Sequence, residues 1–455
     1  MIVKRFFEPL IAQNSYLIAC GAAGEAIVID PNINAQQYID AAEAQNVRIT
    51  HVTETHIHAD FLSGARELAQ RTGASLCLSD EGDASWKYRF PHDRRLKNRD
   101  RITIGNVHVD VLHTPGHTPE HITFLITDGA VANQPIAAVT GDFVFVGDVG
   151  RPDLLEKAAN IAGTMESSAR TLWKSLQLLE PYPDFLQLWP GHGAGSSCGK
   201  GISAVPHSTL GYERLTNWAF NAKSEDDFIK NVLTGQPDPP PYFAVMKRVN
   251  RDGPTGSPAR GLTGVRPTLD EILAQGHLVI DTRQAAEFAE SHRHGTVNIP
   301  LNGSFLTWAG WLIPHDRDFY VISDRVDDVK KALALIGLDR IAGDYSEFSG
   351  RGGESVPQTS VDDLASRLPA KDLVLLDVRN ENEWNEGHIP GAKHIPLGQL
   401  AQRINEVPAD GNIVVHCQGG GRSAIAASLL QKLGRKQVAN LTGGYRAYEQ
   451  LKTKN

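Results

Sequence analysis

Short runs of apolar and β-branched residues alternate with helical patterns through the first half of the chain. The runs predict buried strands at 26–30, 49–55, 107–114 and 136–147. The stretch SGARELAQRTG at 63–73 predicts a helix that ends at Gly73. Strands that alternate with helices in this way predict an α/β fold.

The second half contains an internal repeat. LVIDTRQAAEF at 278–288 resembles LVLLDVRNENEW at 373–384. Further residues match at the same spacing: Asp281 with Asp377, Glu287 with Glu383, His292 with His388, Gly295 with Gly391 and Pro300 with Pro396. Each copy begins with a strand, an Asp-x-Arg turn and a helix, which predicts two α/β domains with parallel sheets. The segment 236–260, rich in proline, glycine and charge, predicts a boundary or linker before them.

Composition narrows the functional classes. The 455 residues suffice for about two to four domains, and 41% hydrophobic with 22% charged residues is ordinary for a globular protein. A net charge of −8 argues against nucleic-acid binding, which requires a basic face. Four scattered cysteines without a CxxC pair predict neither a zinc knot nor a disulfide framework. Without a secretory leader pattern or a long apolar run, the chain is expected to be cytoplasmic and free of membrane.

Metal-binding residue types recur where predicted strands end. His56 and His58 stand two positions apart in extended chain, so both side chains can face one site, and Asp60 follows them. The further segments are HTPGHT at 113–118, which contains His113 and His117, then Gly141-Asp142, and then Pro190-Gly191-His192. Four such segments in this order predict a metal site at one edge of a sandwich. Scattered histidines satisfied by hydrogen bonds are the alternative.

These motifs resemble the metallo-β-lactamase superfamily, over about residues 1–252. The resemblance implies a four-layered αββα fold. In members with two metals the first motif reads HxHxDH, but its last position here is Phe61, which cannot bind a metal. This departure favours the persulfide dioxygenase branch of the superfamily, in which two histidines and one aspartate hold one Fe(II). By motif position, the resemblance assigns those ligands to His56, His117 and Asp142, with one Fe(II) per chain.

The same resemblance gives roles to four neighbouring residues. His58 and His192 are expected on the substrate side of the iron, and Asp60 behind its ligands. Arg151 lies in GDFVFVGDVGRPD (141–153), which also resembles this branch, and is expected to meet an anionic substrate. A structural salt bridge is the alternative for Arg151.

Cys198 follows His192 after a short glycine-serine loop. So short a loop cannot carry a side chain far, which predicts that the thiol lies near the mouth of the metal pocket. Lys200 is expected to favour its thiolate. The hypothesis is that Cys198 accepts or shuttles persulfide sulfur, and the alternative is a small residue that fills a loop.

A second cysteine ends a predicted strand near the end of the chain. Cys417 is followed by Gln418, Gly419, Gly420, Gly421 and Arg422, and then by the helical stretch AIAASLLQKLG. Backbone N–H groups of such a loop and of the helix N-terminus point at the sulfur and stabilise a thiolate or a bound anion. A buried inert cysteine beside a turn is the alternative.

This loop, with Asp377-x-Arg379 and GHIPGA (387–392) upstream, resembles the rhodanese family over about 358–455. Its Cys-x4-Arg spacing suits a single sulfur atom, whereas related phosphatases use a longer Cys-x5-Arg loop. The resemblance therefore implies sulfur transfer by Cys417 and Arg422. The first repeat, 262–355, reads Ser323-Asp324-Arg325 where the cysteine should align, so it is expected to be an inactive rhodanese fold.

The domain order resembles bacterial persulfide dioxygenase–sulfurtransferase fusions. The resemblance implies that a small persulfide and O₂ give sulfite and a thiol, and that a persulfide on Cys417 converts sulfite to thiosulfate. The expected partners are thus a small persulfide, O₂ and sulfite, with neither nucleic acid nor membrane, and the chain is expected to form a homo-oligomer. Two alternatives remain: a thioester hydrolase of glyoxalase II type with two metals, and a sulfur relay or sensor without catalysis.

Overall fold

A computed structural model describes residues 1–157, 163–253, 267–346, 353–369 and 373–454. It divides into two compact units. The first comprises Met1–Gly256 with Ala334–Gly337, and the second comprises Ser257–Leu333 with Leu338–Asn455. The sequence-predicted boundary between 252 and 262 falls mostly on 254–266, which lies outside the described residues.

The first unit contains two six-stranded sheets within its described residues. One follows chain order, β1 to β6: Ile2–Glu8, Gln13–Cys20, Glu25–Ile29, Arg48–Thr53, Ser75–Ser79 and Arg94–Leu96. The other has the order β12-β11-β10-β9-β8-β7, where β7 to β12 are Arg101–Ile104, Val107–His113, Ile122–Asp128, Ala137–Gly141, Gln187–Pro190 and Ser208–Thr209. The helices, α1 to α7, are Gln36–Ala44, Ala65–Thr72, Leu154–Lys157, Met165–Gln177, Leu210–Thr216, Glu225–Leu233 and Tyr242–Asp252.

Alternation along the strands produces four layers. In β2, Ile18 joins the core between the two sheets, whereas its neighbour Leu17 joins a second core that includes Tyr38 of α1 and Leu68 of α2. A third core joins the other sheet to α4 and α6. Successive strand side chains face opposite sides of a sheet, so each sheet is covered on both faces. This is the predicted αββα sandwich.

Two local predictions had different outcomes. The helix α2 ends as predicted at Gly73, whose φ of 71° is the left-handed conformation that glycine adopts without strain. The segment 236–260 was predicted as a boundary or linker, but 242–252 of it is the helix α7. The run of prolines before it marks the helix start, since proline suits the first turn of a helix.

The second unit carries two parallel sheets in the part of it that the structure describes. The first has the order β14-β13-β15-β16, where β13 to β16 are Leu278–Asp281, Val297–Asn298, Phe319–Ile322 and Ile341–Tyr345. The second has the order β17-β21-β20-β18-β19, where β17 to β21 are Gln358–Thr359, Leu373–Asp377, Lys393–His394, Asn412–His416 and Val438–Leu441. The helices α8 to α15 are Leu269–Ala274, Ala285–Glu290, Phe305–Leu312, Val326–Ala334, Val361–Arg367, Glu381–Glu386, Gly421–Lys432 and Gly444–Lys454.

The two parallel sheets repeat one connectivity. The order β14-β13-β15-β16 of the first sheet corresponds to the order β19-β18-β20-β21 of the second. Only β17 has no counterpart among the described strands of the first sheet. The register matches as well, because Asp281 lies opposite Ile322 as Asp377 lies opposite His416. The internal repeat in the sequence therefore corresponds to a repeated α/β arrangement. No helix in the described ranges has both the length and the apolar character needed to cross a bilayer.

Candidate metal centre and cysteine loop

Three side chains from separate loops of the first unit converge at one edge of the sandwich. His56 follows β4, His117 follows β8 and Asp142 follows β10 directly. The Nε2 atoms of His56 and His117 lie 4.0 and 3.5 Å from Oδ2 of Asp142. One ligand atom from each residue lies within 4.8 Å of the others, and all three residues are buried. These are the three residues that the resemblance assigned as ligands, and the structure brings them together.

Hydrogen bonds fix the orientation of both imidazoles. Nδ1 of His117 donates to the carbonyl oxygen of Arg151 at 3.0 Å. Nδ1 of His56 lies 3.0 Å from the Thr55 hydroxyl, which itself donates to Asp30 at 2.9 Å, so Nδ1 is the donor. Each Nε2 therefore lacks a proton and is available as a ligand. Burial lowers the pKa of both histidines, which keeps the imidazoles neutral.

Asp142 provides the test of whether these residues fit a metal. Burial raises the pKa of its carboxyl group, but the surrounding groups, His192 first among them, outweigh that effect, so its pKa lies below the ordinary value. Among the described residues, neither carboxylate oxygen of Asp142 has a hydrogen-bond partner. A buried carboxylate that accepts no hydrogen bond is costly unless a cation neutralises it. Two neutral imidazoles and this carboxylate thus fit a metal ion.

Gly141 allows Asp142 to enter the site. Its φ is 50°, and a Cβ there would lie 2.4 Å from Oγ1 of Thr55. A side chain at this position would push apart the two loops that carry His56 and Asp142. The predicted strand at 136–147 accordingly ends at Gly141, where the chain turns into the site.

His58 is paired with Asp30. Its Nε2 lies 3.0 Å from Oδ1 of Asp30, and the ring of Phe61 packs on it with centroids 4.3 Å apart. Burial lowers the pKa of His58, but the charge and hydrogen bond of Asp30 raise it to about 9. His58 is therefore the charged partner of Asp30 in the network that holds Thr55. The predicted substrate-side role of His58 is corrected accordingly.

A second buried cluster lies beside the first. Nε2 of His192 is 3.2 Å from Oδ2 of Asp60 and 3.4 Å from Oδ1 of Asp142. Cys198 completes this cluster, since ligand atoms of Asp60, His192 and Cys198 lie within 4.8 Å of one another. The sequence analysis expected Asp60 and His192 close to the predicted ligands, and His192 indeed lies beside Asp142 and Asp60.

Cys198 is buried, and its sulfur lies close to ligand atoms of Asp60 and His192. The residue is 2% exposed, and burial together with Asp60 and Asp142 raises the pKa of its thiol well above the ordinary value. Lys200 does not promote a thiolate there, because its Nζ donates to the carbonyl oxygens of Thr234, at 2.8 Å, and Asn231. The prediction that Lys200 favours a thiolate at Cys198 is therefore wrong, and so buried a thiol is poorly placed to pass sulfur onward.

Arg151 forms a structural salt bridge. Its side chain is completely buried, and Nε and Nη2 each lie 2.7 Å from an oxygen of Asp153. Nη1 and Nη2 also donate to the carbonyl oxygens of Ser197 and Pro237. These contacts leave the guanidinium committed to the protein, so its predicted contact with an anionic substrate is replaced by the alternative role.

Sequence reasoning missed two residues that position the ligands. Asp30 accepts hydrogen bonds from the backbone and hydroxyl of Thr55 as well as contacting His58. His121 accepts a hydrogen bond from the backbone N–H of Asp142 at 3.2 Å, and its ring stacks on His56. An aspartate that ends the apolar run 26–30 was the available signal for Asp30.

In the second unit, the predicted cysteine loop forms at the junction of β20 and α14. The N–H of Gly420 donates to Sγ of Cys417 at 3.1 Å, and the hydroxyl of Ser423 lies 3.5 Å from the same sulfur. Gly420 has φ of 104°, which turns its N–H toward the sulfur at no steric cost. Gln418, Gly419 and Gly421 complete the loop, and Gln418 accepts a hydrogen bond from Arg379. The sulfur thus faces N–H and O–H donors.

Arg422 is held by an acidic residue of the same domain. Nη1 and Nη2 each lie 2.6 Å from one oxygen of Glu383. Burial raises the pKa of Glu383, but Arg422 outweighs it, and the pKa lies below the ordinary value. This two-point contact fixes the guanidinium plane next to the loop, where a cation favours an anionic sulfur or sulfite.

The corresponding position of the first repeat holds Ser323. The backbone N–H of Val378 donates to the carbonyl oxygen of His416, the residue before Cys417. In the first repeat, the N–H of Thr282 donates in the same way to the carbonyl oxygen of Ile322, the residue before Ser323. Ser323 is buried, and its hydroxyl accepts a hydrogen bond from the N–H of Arg325. The sulfur nucleophile of the second repeat therefore has no counterpart here.

A buried set of two histidines and one aspartate, at the edge of an αββα sandwich, defines a metal-binding protein. Residues 9–192 match the family model of the metallo-beta-lactamase superfamily, and residues 360–451 match that of the rhodanese-like domain. The structure of a metallo-beta-lactamase from Staphylococcus aureus is 42% identical, with a TM-score of 0.70, and the match covers 75% of this chain and 98% of that one. The chain belongs to the metallo-beta-lactamase superfamily and carries a rhodanese-like domain.

Curated relatives match the two parts separately. A hydroxyacylglutathione hydrolase from Rhodospirillum rubrum is 33% identical over 39% of this chain and 60% of its own length. A Bacillus subtilis protein described as a candidate sulfur carrier is 37% identical over 22% of this chain and 55% of its own length. The chain thus spans little more than half the length of each of these two relatives.

Proposed function

We propose that the first unit oxidises small persulfides with O₂ and that the rhodanese-like domain transfers sulfur to the product. The proposed first reaction is RSSH + O₂ + H₂O giving RSH, SO₃²⁻ and two protons. The set of His56, His117 and Asp142 carries this proposal. Two imidazoles and one carboxylate are typical of mononuclear Fe(II) oxygenases, since three protein ligands leave positions open for O₂ and substrate.

Bound Fe(II), at one ion per chain, would supply the redox chemistry with O₂. The residues of this chain have separate tasks. His121 and Gly141 hold Asp142 in place, and Thr55 and the Arg151 carbonyl orient the two histidines. Phe61 fills a position where other superfamily members carry a metal-binding histidine, and its phenyl ring provides no ligand atom. This substitution favours one metal and an oxygenase over a hydrolase that uses two.

The cysteine loop supports the second half of the proposal. Cys417 takes the outer sulfur of a second persulfide, R′SSH, and releases R′SH. Sulfite then attacks the outer sulfur of the Cys417 persulfide, and its S–S bond breaks to give thiosulfate and the free cysteine. The donors around Sγ stabilise the anionic leaving thiolate, and Arg422 stabilises the incoming sulfite. In the first repeat, Ser323 offers no thiol, so we assign it no sulfur transfer.

A thioester hydrolase is the second candidate. The relationship to hydroxyacylglutathione hydrolase favours it, as does the cluster of Asp60, His192 and Cys198 beside the first metal site. Such an enzyme would cleave a glutathione thioester without consuming O₂.

The test compares the two reactions on one preparation. Protein loaded with Fe(II) under anaerobic conditions is given glutathione persulfide in a closed oxygen electrode, or a glutathione thioester without O₂. The proposal predicts O₂ uptake and sulfite or thiosulfate with the persulfide, and no hydrolysis of the thioester. Thioester hydrolysis without O₂ uptake would refute it.

A further inference from the structure

A cavity of about 290 Å³ lies between α2 and α7 of the first unit. Its volume is close to the lower end of the range for pockets that hold small organic molecules. The apolar residues Ile33, Leu62, Phe90 and Val249 line part of it. None of the three predicted metal ligands is among the described residues that line the cavity, so it is separate from the site of the proposed oxidation.

Glu54 brings a buried carboxylate to this cavity. The residue follows β4 directly and is 1% exposed, and among the described residues no hydrogen bond reaches its Oε1. Burial raises the pKa of Glu54 above its ordinary value, and the nearby charge of His58 and the hydroxyl of Ser63 offset this effect only in part. A buried carboxylate oxygen without a partner costs free energy, and a ligand that carries a cation removes that cost.

The other charges around the cavity balance one another. Next to Glu54, the charged His58 is paired with Asp30. At the rim, the exposed residues Arg66 and Glu67 carry opposite charges. The carboxylate of Glu54 is therefore the net charge that faces the cavity, and it favours a cationic ligand over an anionic one.

The apolar part of the wall indicates the rest of the ligand. Phe90 is half-buried, and the guanidinium carbon of Arg66 lies 5.7 Å from the centroid of its ring. Leu62 and Val249 add aliphatic surface to the same cavity. A compact apolar or aromatic body loses water on binding to such a wall, which stabilises the complex.

Asn250 connects the cavity with the loop that carries His56. This asparagine lines the cavity, and its Nδ2 donates to the carbonyl oxygens of His58 at 2.8 Å and Phe61 at 2.7 Å. Its Oδ1 accepts a hydrogen bond from the N–H of Ser63 at 3.0 Å. The cavity wall is thus held by the same hydrogen bonds that fix this loop.

We propose that the cavity binds a small primary amine, whose ammonium group pairs with Glu54 and whose apolar body packs against Phe90, Leu62 and Val249. Binding is non-covalent. The claim is independent of the proposed oxidation and is tested without it.

Benzylamine serves as the probe, because at neutral pH it joins an ammonium group to a phenyl ring. Its binding to the full chain is measured by isothermal titration calorimetry beside benzyl alcohol, which has the same ring and no charge. Benzylamine is expected to bind about tenfold more tightly, which corresponds to one charge-assisted hydrogen bond. Equal affinities for the two compounds, or no binding of benzylamine, would overturn the proposal.

Two variants test the role of the carboxylate. Glu54→Gln is expected to remove the preference for benzylamine over benzyl alcohol. Glu67→Gln, at the rim of the same cavity, is the matched control and should keep the preference of the wild type. A full preference in Glu54→Gln would show that another group binds the amine, and the proposal would be wrong.

A third variant locates the ligand without altering Glu54. Val249→Trp fills the cavity from α7 and is expected to abolish benzylamine binding, whereas Ala244→Trp, at an exposed position of the same helix, should bind as the wild type does. Urea unfolding midpoints show whether both variants fold. Unchanged binding in Val249→Trp would place the amine elsewhere and overturn the proposal. Neither result bears on the persulfide oxidation, because that reaction is measured by O₂ uptake.

Discussion

Nε2 of His58 lies 3.0 Å from Oδ1 of Asp30, and both side chains are buried beside the metal centre. The pair fixes the loop that carries His56, because Asp30 also accepts hydrogen bonds from Thr55. In this loop, the second histidine of the HxHxD motif is an ion-pair partner and not a metal ligand.

The first prediction concerns pH and stability. The pKa of His58 is raised to about 9, above its ordinary 6.5, so its pairing stabilises the folded protein fully below pH 6.5. That stabilisation, of order 3 kcal/mol, is lost as the pH rises from 6.5 through 9. Urea unfolding of the metal-free protein between pH 6 and pH 10 measures it. Asp30→Asn should be less stable at pH 6 and should lack this loss, and an unchanged pH dependence in the variant would contradict the account.

The second prediction separates ligand from bystander within one motif. His117→Ala should bind less than about one tenth of the iron of the wild type, because a facial set of three cannot spare an imidazole. His113→Gln is the matched control. His113 belongs to the same HTPGH motif as His117, but its ring hydrogen-bonds to the carbonyl oxygen of Pro119 and not to Asp142. The iron bound per chain is measured in both variants after anaerobic loading. Equal iron in the two variants would remove His117 from the ligand set.

The third prediction concerns the cysteine loop. Cys417→Ser should leave O₂ uptake within about twofold of the wild type and shift the product from thiosulfate to sulfite, because the sulfur acceptor is lost while the metal centre remains. Cys77→Ser, in β5 of the first unit, is the control and should retain thiosulfate. Ion chromatography of the products measures the ratio. Loss of O₂ uptake in Cys417→Ser would show that the two activities are not separable.

The fourth prediction concerns the helix that follows Cys417. α14 is packed on more than one side: Leu430 and Ala426 are buried, and the hydroxyl of Ser428 accepts a hydrogen bond from the N–H of Asn298 in the first repeat at 3.0 Å. Ser428→Ala leaves that N–H buried without a partner, at a cost of about 1–3 kcal/mol. Ser366→Ala, an exposed serine of α12, is the control. Unfolding midpoints in urea that coincide for the two variants would show that the contact does not stabilise the unit.

The sequence predicted which residues come together at the candidate metal centre because they occupy short motifs at strand ends. The choice of His56, His117 and Asp142 among the residues of these motifs came from the resemblance to the persulfide dioxygenase branch. Asp30 and His121 were not identified, since their roles depend on contacts with Thr55 and Asp142 that no local pattern reports. The sequence left two roles open for Arg151, because two charged residues in positions 151 and 153 do not show whether their side chains pair with each other. The role predicted for Cys198 failed because its thiol is buried. A loop of glycine and serine residues does not show in the sequence that a side chain within it is buried.

The central claim is tested most directly by the number of O₂ molecules that the Cys417→Ser variant consumes for each persulfide. Without sulfur transfer, the iron-loaded variant should consume one O₂ and release one sulfite for each persulfide, as the proposed equation requires. Protein loaded with zinc in place of iron should consume none. Oxygen uptake that does not depend on iron, or persulfide loss without O₂ uptake, would contradict an iron-dependent persulfide oxidation at His56, His117 and Asp142.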